Sequence, residues 1–290
     1  MGPSGAGIWS APTLDPEHNT LYVTTGDNYS DPPTGSSDAV LAVAMDTGKL
    51  LWSKQLLASD VWNSTCPLAN KSSCPDSAGP DFDFGASAML LRLPAGKRVL
   101  VLPQKSGTLH GVDPDQRGKI LWQAKVGQGG LLGGLQWGGA TDGKLVYVAL
   151  SDIGFSNVGA LGRTPDPQRG GGMFAFRPDN GERMWMTPPP GCGARPNCSP
   201  AQSQAVSAIP GAVFSGSVDG HLRAYASGDG KILWDFDTAQ EFATVNGIAA
   251  KGGSMDAGGA VIGGGMLFVG SGYGQWGGMP GNALLAFSAP

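Results

Sequence analysis

Residues 222–234 read LRAYASGDGKILW, and this stretch decides the fold. It holds an apolar run, a polar turn built on Asp-Gly, a Lys, and a second apolar run carrying a Trp. Turn chemistry of this kind between apolar strands marks a tight β-hairpin, because Asp-Gly supplies the positive φ such turns demand. The pattern recurs as LAVAMDTGKLLW at 41–52, as LHGVDPDQRGKILW at 109–122 (with two extra turn residues) and as MFAFRPDNGERMW at 173–185. Successive closing Trp residues stand 70, 63 and 49 positions apart. A four-stranded propeller blade takes about 40–50 residues, so the longer steps are expected to carry insertions, at 66–74 and at 151–172.

Shorter apolar runs between the hairpins supply the remaining strands. They lie at 86–91 and 98–102, at 145–150, at 205–209 and 212–215, and at 260–262 and 266–270. Four strands per repeat predicts an all-β chain organised as a β-propeller, with blades near 9–56, 83–126, 134–188, 203–238 and 253–290. The last unit ends at 284–287, where the next Asp-Gly-Trp hairpin should begin. Such a chain either closes as a small ring of five blades or, the reading preferred here, belongs to a larger ring.

Composition supports this and excludes several functions. The 48 Gly and 22 Pro make up about a quarter of the 290 residues, roughly twice the usual share. Both residues break helix interiors, so a helical bundle is excluded. The 41% of hydrophobic residues is enough for a core and argues against disorder. A net charge of −4 without a basic run excludes a phosphate-tracking nucleic-acid binder. No apolar stretch approaches the eighteen or so residues of a membrane span. The opening Met-Gly-Pro-Ser-Gly has neither the basic nor the apolar region of a secretory signal, as expected of a chain that starts inside a longer one. The four Cys form two local pairs, Cys66 with Cys74 and Cys192 with Cys198, in loops rich in Pro, Ser and Asn. Zinc ligation calls for closer spacing and His partners, so two loop disulfides, and an oxidising compartment, are expected. Four unpaired thiols are the alternative.

The repeated hairpin with its trailing Trp resembles the tryptophan-docking motif of the quinoprotein alcohol dehydrogenases, eight-bladed propellers that hold pyrroloquinoline quinone (PQQ). The motif also occurs in cofactor-free propellers, so function has to come from site residues. Residues 8–28, IWSAPTLDPEHNTLYVTTGDN, resemble the family segment in which a Trp lies beneath the quinone and a later Asn ligates calcium. The resemblance makes Trp9 the floor, a flat apolar face suited to stacking. It makes Asp27 or Asn28 the ligand, each offering oxygen to a hard cation.

Asp81-Phe-Asp83, followed by Phe-Gly-Ala-Ser-Ala-Met-Leu, resembles the segment carrying the family's general base. One alignment makes Asp81 the base and Asp83 a second metal ligand; a gapped one makes Asp83 the base. On an extended strand residues i and i+2 share a face, so both carboxylates can enter one site. Pro80 stands where the family has Trp, and Trp62 matches that Trp across the Cys66–Cys74 insertion. Lys105 resembles the Lys that touches the quinone carbonyls, where a cation stabilises developing negative charge. Gln136 and Trp137 resemble an Asn-Trp pair at the cofactor edge, and Tyr273 and Trp276 are further cofactor-binding candidates.

The combination of Gly-Asp-Asn-Tyr-Ser-Asp-Pro with Gly-Pro-Asp-Phe-Asp-Phe-Gly is most similar to polyvinyl alcohol dehydrogenases. What the resemblance implies is a periplasmic enzyme that oxidises alcohol hydroxyls with PQQ and calcium, or a lanthanide. It would pass electrons to a cytochrome c or similar acceptor. The family's upstream Glu ligand, its vicinal Cys-Cys and most residues binding the quinone carboxylates are absent from the sequence, as is any C-x-x-C-H haem signature. The competing class is a non-catalytic propeller scaffold for protein assembly.

Overall fold

The computed structural model describes residues 2–68, 70–159 and 162–288. Among the described residues the chain is all-β, relieved only by single turns of 3-10 helix. Its first four-stranded antiparallel sheet is β1 (Thr13–Asp15), β2 (Thr20–Thr24), β3 (Ala39–Ala44) and β4 (Leu50–Gln55). The second is β5 (Met89–Arg92), β6 (Arg98–Pro103), β7 (Thr108–Asp113) and β8 (Lys119–Lys125). The third runs β9 (Ala140–Thr141) and β10 (Val146–Ala149), is interrupted by a hairpin of β11 (Phe155–Gly159) and β12 (Gly162–Pro165), and finishes with β13 (Met173–Phe176) and β14 (Arg183–Thr187). The fourth holds β15 (Ser207–Ile209), β16 (Ala212–Gly216), β17 (His221–Ala226) and β18 (Ile232–Asp237). A short pair, β19 (Glu241–Phe242) and β20 (Ala250–Lys251), precedes a three-stranded sheet of β21 (Val261–Gly263), β22 (Met266–Ser271) and β23 (Ala283–Ser288). These sheets follow one another along the chain as meanders, the arrangement of propeller blades.

The four hairpins form at the predicted positions, and register explains the Trp that ends each. Trp52 pairs across the ladder with Ala42, Trp122 with Gly111, Trp185 with Ala175 and Trp234 with Ala224. A small residue opposite lets each indole lie across the neighbouring strand, and a bulge follows each pair. Thus laid over, the ring reaches the hairpin tip of the following repeat. The Trp122 indole donates to the Pro178 carbonyl at 2.9 Å, and a Cβ on Gly181 would lie 2.5 Å from its ring. Trp185 donates likewise to Ser227 at 3.0 Å and packs under Gly230. Both glycines hold positive φ, so two constraints fix them: turn conformation and ring contact. Trp234 meets the Phe287 ring edge-on at 5.0 Å instead.

Two compact units result, Met1–Gln136 with Pro178–Glu182, and Trp137–Arg177 with Arg183–Pro290. In the first, Tyr22, Val40, Phe84, Leu100, Leu102 and Val112 make a buried core. Strand β6 is buried along its whole length, whereas β4 is largely exposed on the outer edge. In the second unit one core gathers Tyr147, Met173, Val213 and Tyr225, and another Leu222, Met255, Leu267 and Val269.

Several expectations need correction. The run at 86–91 is extended only from Met89, because the Ala86 and Ala88 carbonyls accept the Thr24 and Thr13 hydroxyls, and 205–209 only from Ser207, because the Ala205 and Val206 amides donate to the Ala257 and Gly138 carbonyls. The insertion at 151–172, expected as a loop, contains the β11–β12 hairpin. Residues 160–161 of that insertion and 289–290 of the fifth unit lie outside the described residues. Both expected disulfides form, Cys66–Cys74 and Cys192–Cys198. Among the described residues no helix is long and apolar enough to cross a membrane.

Candidate functional site

The first unit brings Trp9, Asp27, Asp81, Asp83 and Lys105 together. Strand β2 runs out through Thr25 and Gly26 to Asp27. Strand β6 runs out through Gln104 to Lys105, and the segment before β5 carries the acid pair. One carboxylate oxygen from each of Asp27, Asp81 and Asp83 lies within 4.8 Å of the other two, and all three residues are buried. Lys105 Nζ, also buried, donates to Asp81 Oδ1 at 2.7 Å and to Asp83 Oδ2 at 3.1 Å. Asp83 Oδ1 accepts the Asp27 amide at 2.7 Å, and the Asp83 carbonyl accepts the Lys105 amide at 3.0 Å. The acid pair is therefore stitched to both strand ends.

The two carboxylates do not converge by strand alternation, as the i, i+2 argument supposed. Residues 81–86 are not a strand, and Asp81 sits in the left-handed region at φ 58°. The turn it creates, rather than a pleat, points both side chains at Lys105.

Trp9 borders this group. A Cβ on Gly85 would fall 2.2 Å from its ring, and one on Gly26 would fall 3.0 Å from its Nε1 and 2.5 Å from Asp83 Oδ1. The two glycines allow the indole to lie flat beside the acids, which no larger residue would permit. Trp9 is 38% exposed, and Lys105 Nζ stands 5.9 Å from the centroid of its ring. A flat aromatic ring thus borders a charged cluster.

Electrostatics set this site apart from an ordinary salt bridge. Burial, with the charges of Asp83, Asp81 and Asp60 added, pushes the Asp27 carboxyl up to about 9. Burial also pushes Asp81 up to about 8, against the pull of Lys105 and with the push of Asp83. Burial alone would lower the Lys105 ammonium, but Asp83 and Asp81 outweigh it and hold its pKa above the usual lysine value. Three carboxylates facing one ammonium leave excess negative charge in a buried place, which a bound cation or protons must neutralise. Asp27 Oδ2 is buried without a hydrogen-bond partner. An all-oxygen donor set with an orphaned carboxylate oxygen fits a hard cation such as calcium or a lanthanide.

Two acids that sequence reasoning did not single out complete the picture. Asp60, fully buried, accepts the Asp81 amide at 3.1 Å and the Phe82 amide at 2.7 Å. Asp38 is fully buried with both carboxylate oxygens unpartnered, and burial together with the neighbouring acids pushes it up to about 9. Asp60 stands two residues before Trp62, the residue that the family resemblance singles out there. Asp38 has no local signal, because its position depends on how β3 enters the sheet.

Asn28 is buried, but its side-chain oxygen accepts the amide and hydroxyl of Thr34 at 2.8 and 3.1 Å, which leaves Asp27 facing the acid group. Gln136 is buried at the end of the first unit. Trp137, Tyr273 and Trp276 belong to the second unit. There Trp137 neighbours Asp256, whose carboxylate accepts the Ser203 hydroxyl at 2.7 Å. Tyr273 donates to Gln275 at 2.9 Å, and the Arg163 guanidinium stands 5.1 Å from the Trp276 ring.

Comparison with known proteins places this geometry in a family. The family described as outer membrane protein assembly factor BamB matches residues 105–254. The family described as glucose/ethanol/alcohol dehydrogenase, beta-propeller domain, matches residues 2–70. A polyvinylalcohol dehydrogenase from Pseudomonas sp. is 42% identical over 99% of this chain, and one from Sphingopyxis sp. is 39% identical over 99%. The chain spans 45% of the length of each. The crystal structure of quinohemoprotein alcohol dehydrogenase from Comamonas testosteroni superposes with a TM-score of 0.62 at 18% identity, covering 98% of this chain and 48% of that one, which establishes the shared propeller fold. The chain belongs to the PQQ β-propeller family, and its relatives fit it to a part of a PQQ alcohol dehydrogenase.

Proposed function

We propose that this chain carries the metal-binding and proton-accepting part of a periplasmic, PQQ-dependent dehydrogenase that oxidises secondary alcohols, polyvinyl alcohol among them. The observation that carries the reading is the cluster of Asp27, Asp81 and Asp83, buried around Lys105 and beside the Trp9 face. A non-catalytic scaffold gains nothing from burying excess negative charge there, since an unneutralised buried carboxylate costs several kcal/mol or forces proton uptake.

Asp27 and Asp83 would hold a calcium or lanthanide ion, and Trp9 would contribute to binding the quinone. The quinone, when bound, supplies the two-electron acceptor that the protein lacks. The chain's own residues do the rest. Asp81 or Asp83 takes the substrate hydroxyl proton as general base; burial raises the Asp81 carboxyl toward neutral pH, where a base is most effective. Lys105 keeps the remaining carboxylate ionised and presents a cation where negative charge develops. Trp9 excludes water from one face. The electrons then leave to a cytochrome c or similar acceptor.

The test is alcohol-dependent dye reduction by protein loaded with PQQ and either calcium or a lanthanide, with secondary alcohols and polyvinyl alcohol as substrates. Metal-dependent turnover that Asp81→Asn or Asp83→Asn abolishes supports the reading. Turnover indifferent to both variants, or no saturable PQQ binding, would sink it.

A further inference from the structure

Asp60 stands at the junction of the two turns that supply the candidate ligands. Its carbonyl accepts the Asn28 amide at 3.2 Å, and a parallel bridge joins Asn28 to Val61. Its carboxylate accepts two successive amides, those of Asp81 and Phe82, at 3.1 and 2.7 Å. Adjacent amides converge on one acceptor when the backbone bends through the left-handed region, forming an anion-binding nest. Asp81 holds φ 58°, a conformation a non-glycine residue keeps only when its surroundings over-determine it. The Asp60 carboxylate holds the Asp81 and Phe82 amides of this bend, while Lys105 holds the Asp81 side chain.

The approach to Asp60 is equally constrained. A Cβ on Gly79 would lie 2.2 Å from Asp60 Oδ1, so the returning chain can pass only as glycine. The Gly79 amide binds the Val61 carbonyl at 2.9 Å, and the Trp62 amide binds the Asn28 carbonyl at 2.7 Å. The segment before the Cys66–Cys74 loop is therefore laced to the Asp27 turn on one side and to the chain leading into Asp81 on the other.

We propose that Asp60 is a positioning residue for the acid group, its carboxylate fixing the Asp81–Phe82 turn and its carbonyl the Asn28 turn, so that Asp27, Asp81 and Asp83 stand at the spacing one hard cation needs. Asp60 itself touches neither metal nor substrate. This inference rests on the metal reading proposed above and names the residue that builds the site in the absence of the ion. Outer partners that orient ligands typically contribute about 10–100-fold to metal affinity.

The experiment titrates the metal-free protein with Tb³⁺ alone and follows terbium emission sensitised through Trp9. Wild type is expected to give saturable emission. Asp60→Asn, which sets an amide N–H against the Phe82 N–H, is expected to bind Tb³⁺ about tenfold or more weakly while keeping its near-ultraviolet circular dichroism. A merely structural Asp60 would lower the unfolding temperature and leave the affinity of the folded protein unchanged, and that result overturns the inference. Should Asp60→Asn fail to fold, hydrogen exchange on metal-free wild type decides instead. Strong protection of the Asp81 and Phe82 amides before metal is added supports positioning, and free-loop exchange rates overturn it. No Tb³⁺ emission from wild type would defeat the metal reading and this role with it, whereas wild-type emission matched by a folded Asp60→Asn defeats the role of Asp60 alone.

Discussion

Replacing Lys105 by Met should cost stability in a way that depends on pH. Lys105 Nζ makes two buried charge-assisted contacts, at 2.7 Å to Asp81 and 3.1 Å to Asp83. Deleting one partner of a buried ion pair typically costs about 3–5 kcal/mol, because the remaining charge is stranded. Here the stranded groups can escape by taking up protons. Burial already pushes Asp81 up to about 8 with Lys105 in place, and its removal drives the folded-state value higher. A carboxyl whose folded pKa is raised favours folding while it is protonated in both states. It loses that advantage as pH rises above the unfolded value near 3.9, by about 1.4 kcal/mol per pH unit and per group until the folded value is reached. Below pH 8 Asp81 is protonated in wild type and variant alike, so its share of the gap should open only above pH 8, at about 1.4 kcal/mol per pH unit until the variant's higher folded value is reached. With a urea slope of about 3 kcal/mol/M, one pH unit above 8 widens the midpoint shift by roughly 0.5 M. Urea melts of metal-free protein at pH 5.5, 7, 8 and 9 measure it. A gap below about 0.5 kcal/mol that stays flat with pH, as for a solvated surface lysine, would refute the reasoning.

Acid should attack a different network. Burial pushes the Asp15 carboxyl up, but His18 and Arg98 outweigh it and hold it below the usual value, while the Arg98 hydrogen bond lowers Asp115. A depressed folded pKa contributes stability that is present above the unfolded value and lost as pH falls through the folded one. Unfolding below pH 4 should thus be less steep in Arg98→Met, as read by circular dichroism against pH. In the second unit, Trp185→Ala should cost about 3–5 kcal/mol, as for large core truncations. Trp185→Phe, which mainly loses the hydrogen bond to Ser227, should cost about 1–3 kcal/mol in thermal melts. In the loaded enzyme Asp81→Asn should abolish turnover with metal affinity kept, whereas Asp83→Asn should weaken metal dependence first; the opposite pattern makes Asp83 the base, and steady-state kinetics against metal concentration separate the two.

The fold was legible because its signal repeats. A small residue facing a Trp, a Gly at the hairpin tip and an apolar inner strand are local features, and each recurs in register at Trp52, Trp122, Trp185 and Trp234. Strand starts were less legible, since Ala86–Ala88 and Ala205 are apolar without pairing as strand, and periodicity does not separate a buried loop from a buried strand. The site was legible where resemblance supplied spacing, at Trp9, Asp27, Asp81, Asp83 and Lys105. The physical reason first given for the acid pair was not the operative one, because a left-handed Asp81 rather than an extended strand turns both carboxylates inward. Asp38 and Asp60 escaped notice because each acts through contacts more than ten residues away in sequence.

The central claim is that Asp27, Asp81 and Asp83 form one site for a hard cation. Equilibrium dialysis of the metal-free protein against calcium or lanthanum, with the bound metal counted by mass spectrometry, tests it most directly. The account predicts that wild type retains a single tightly held ion and that the Asp27→Asn, Asp81→Asn, Asp83→Asn triple variant, still folded, retains none. A wild type without a tightly held ion, or a triple variant that binds as well as wild type, would contradict it.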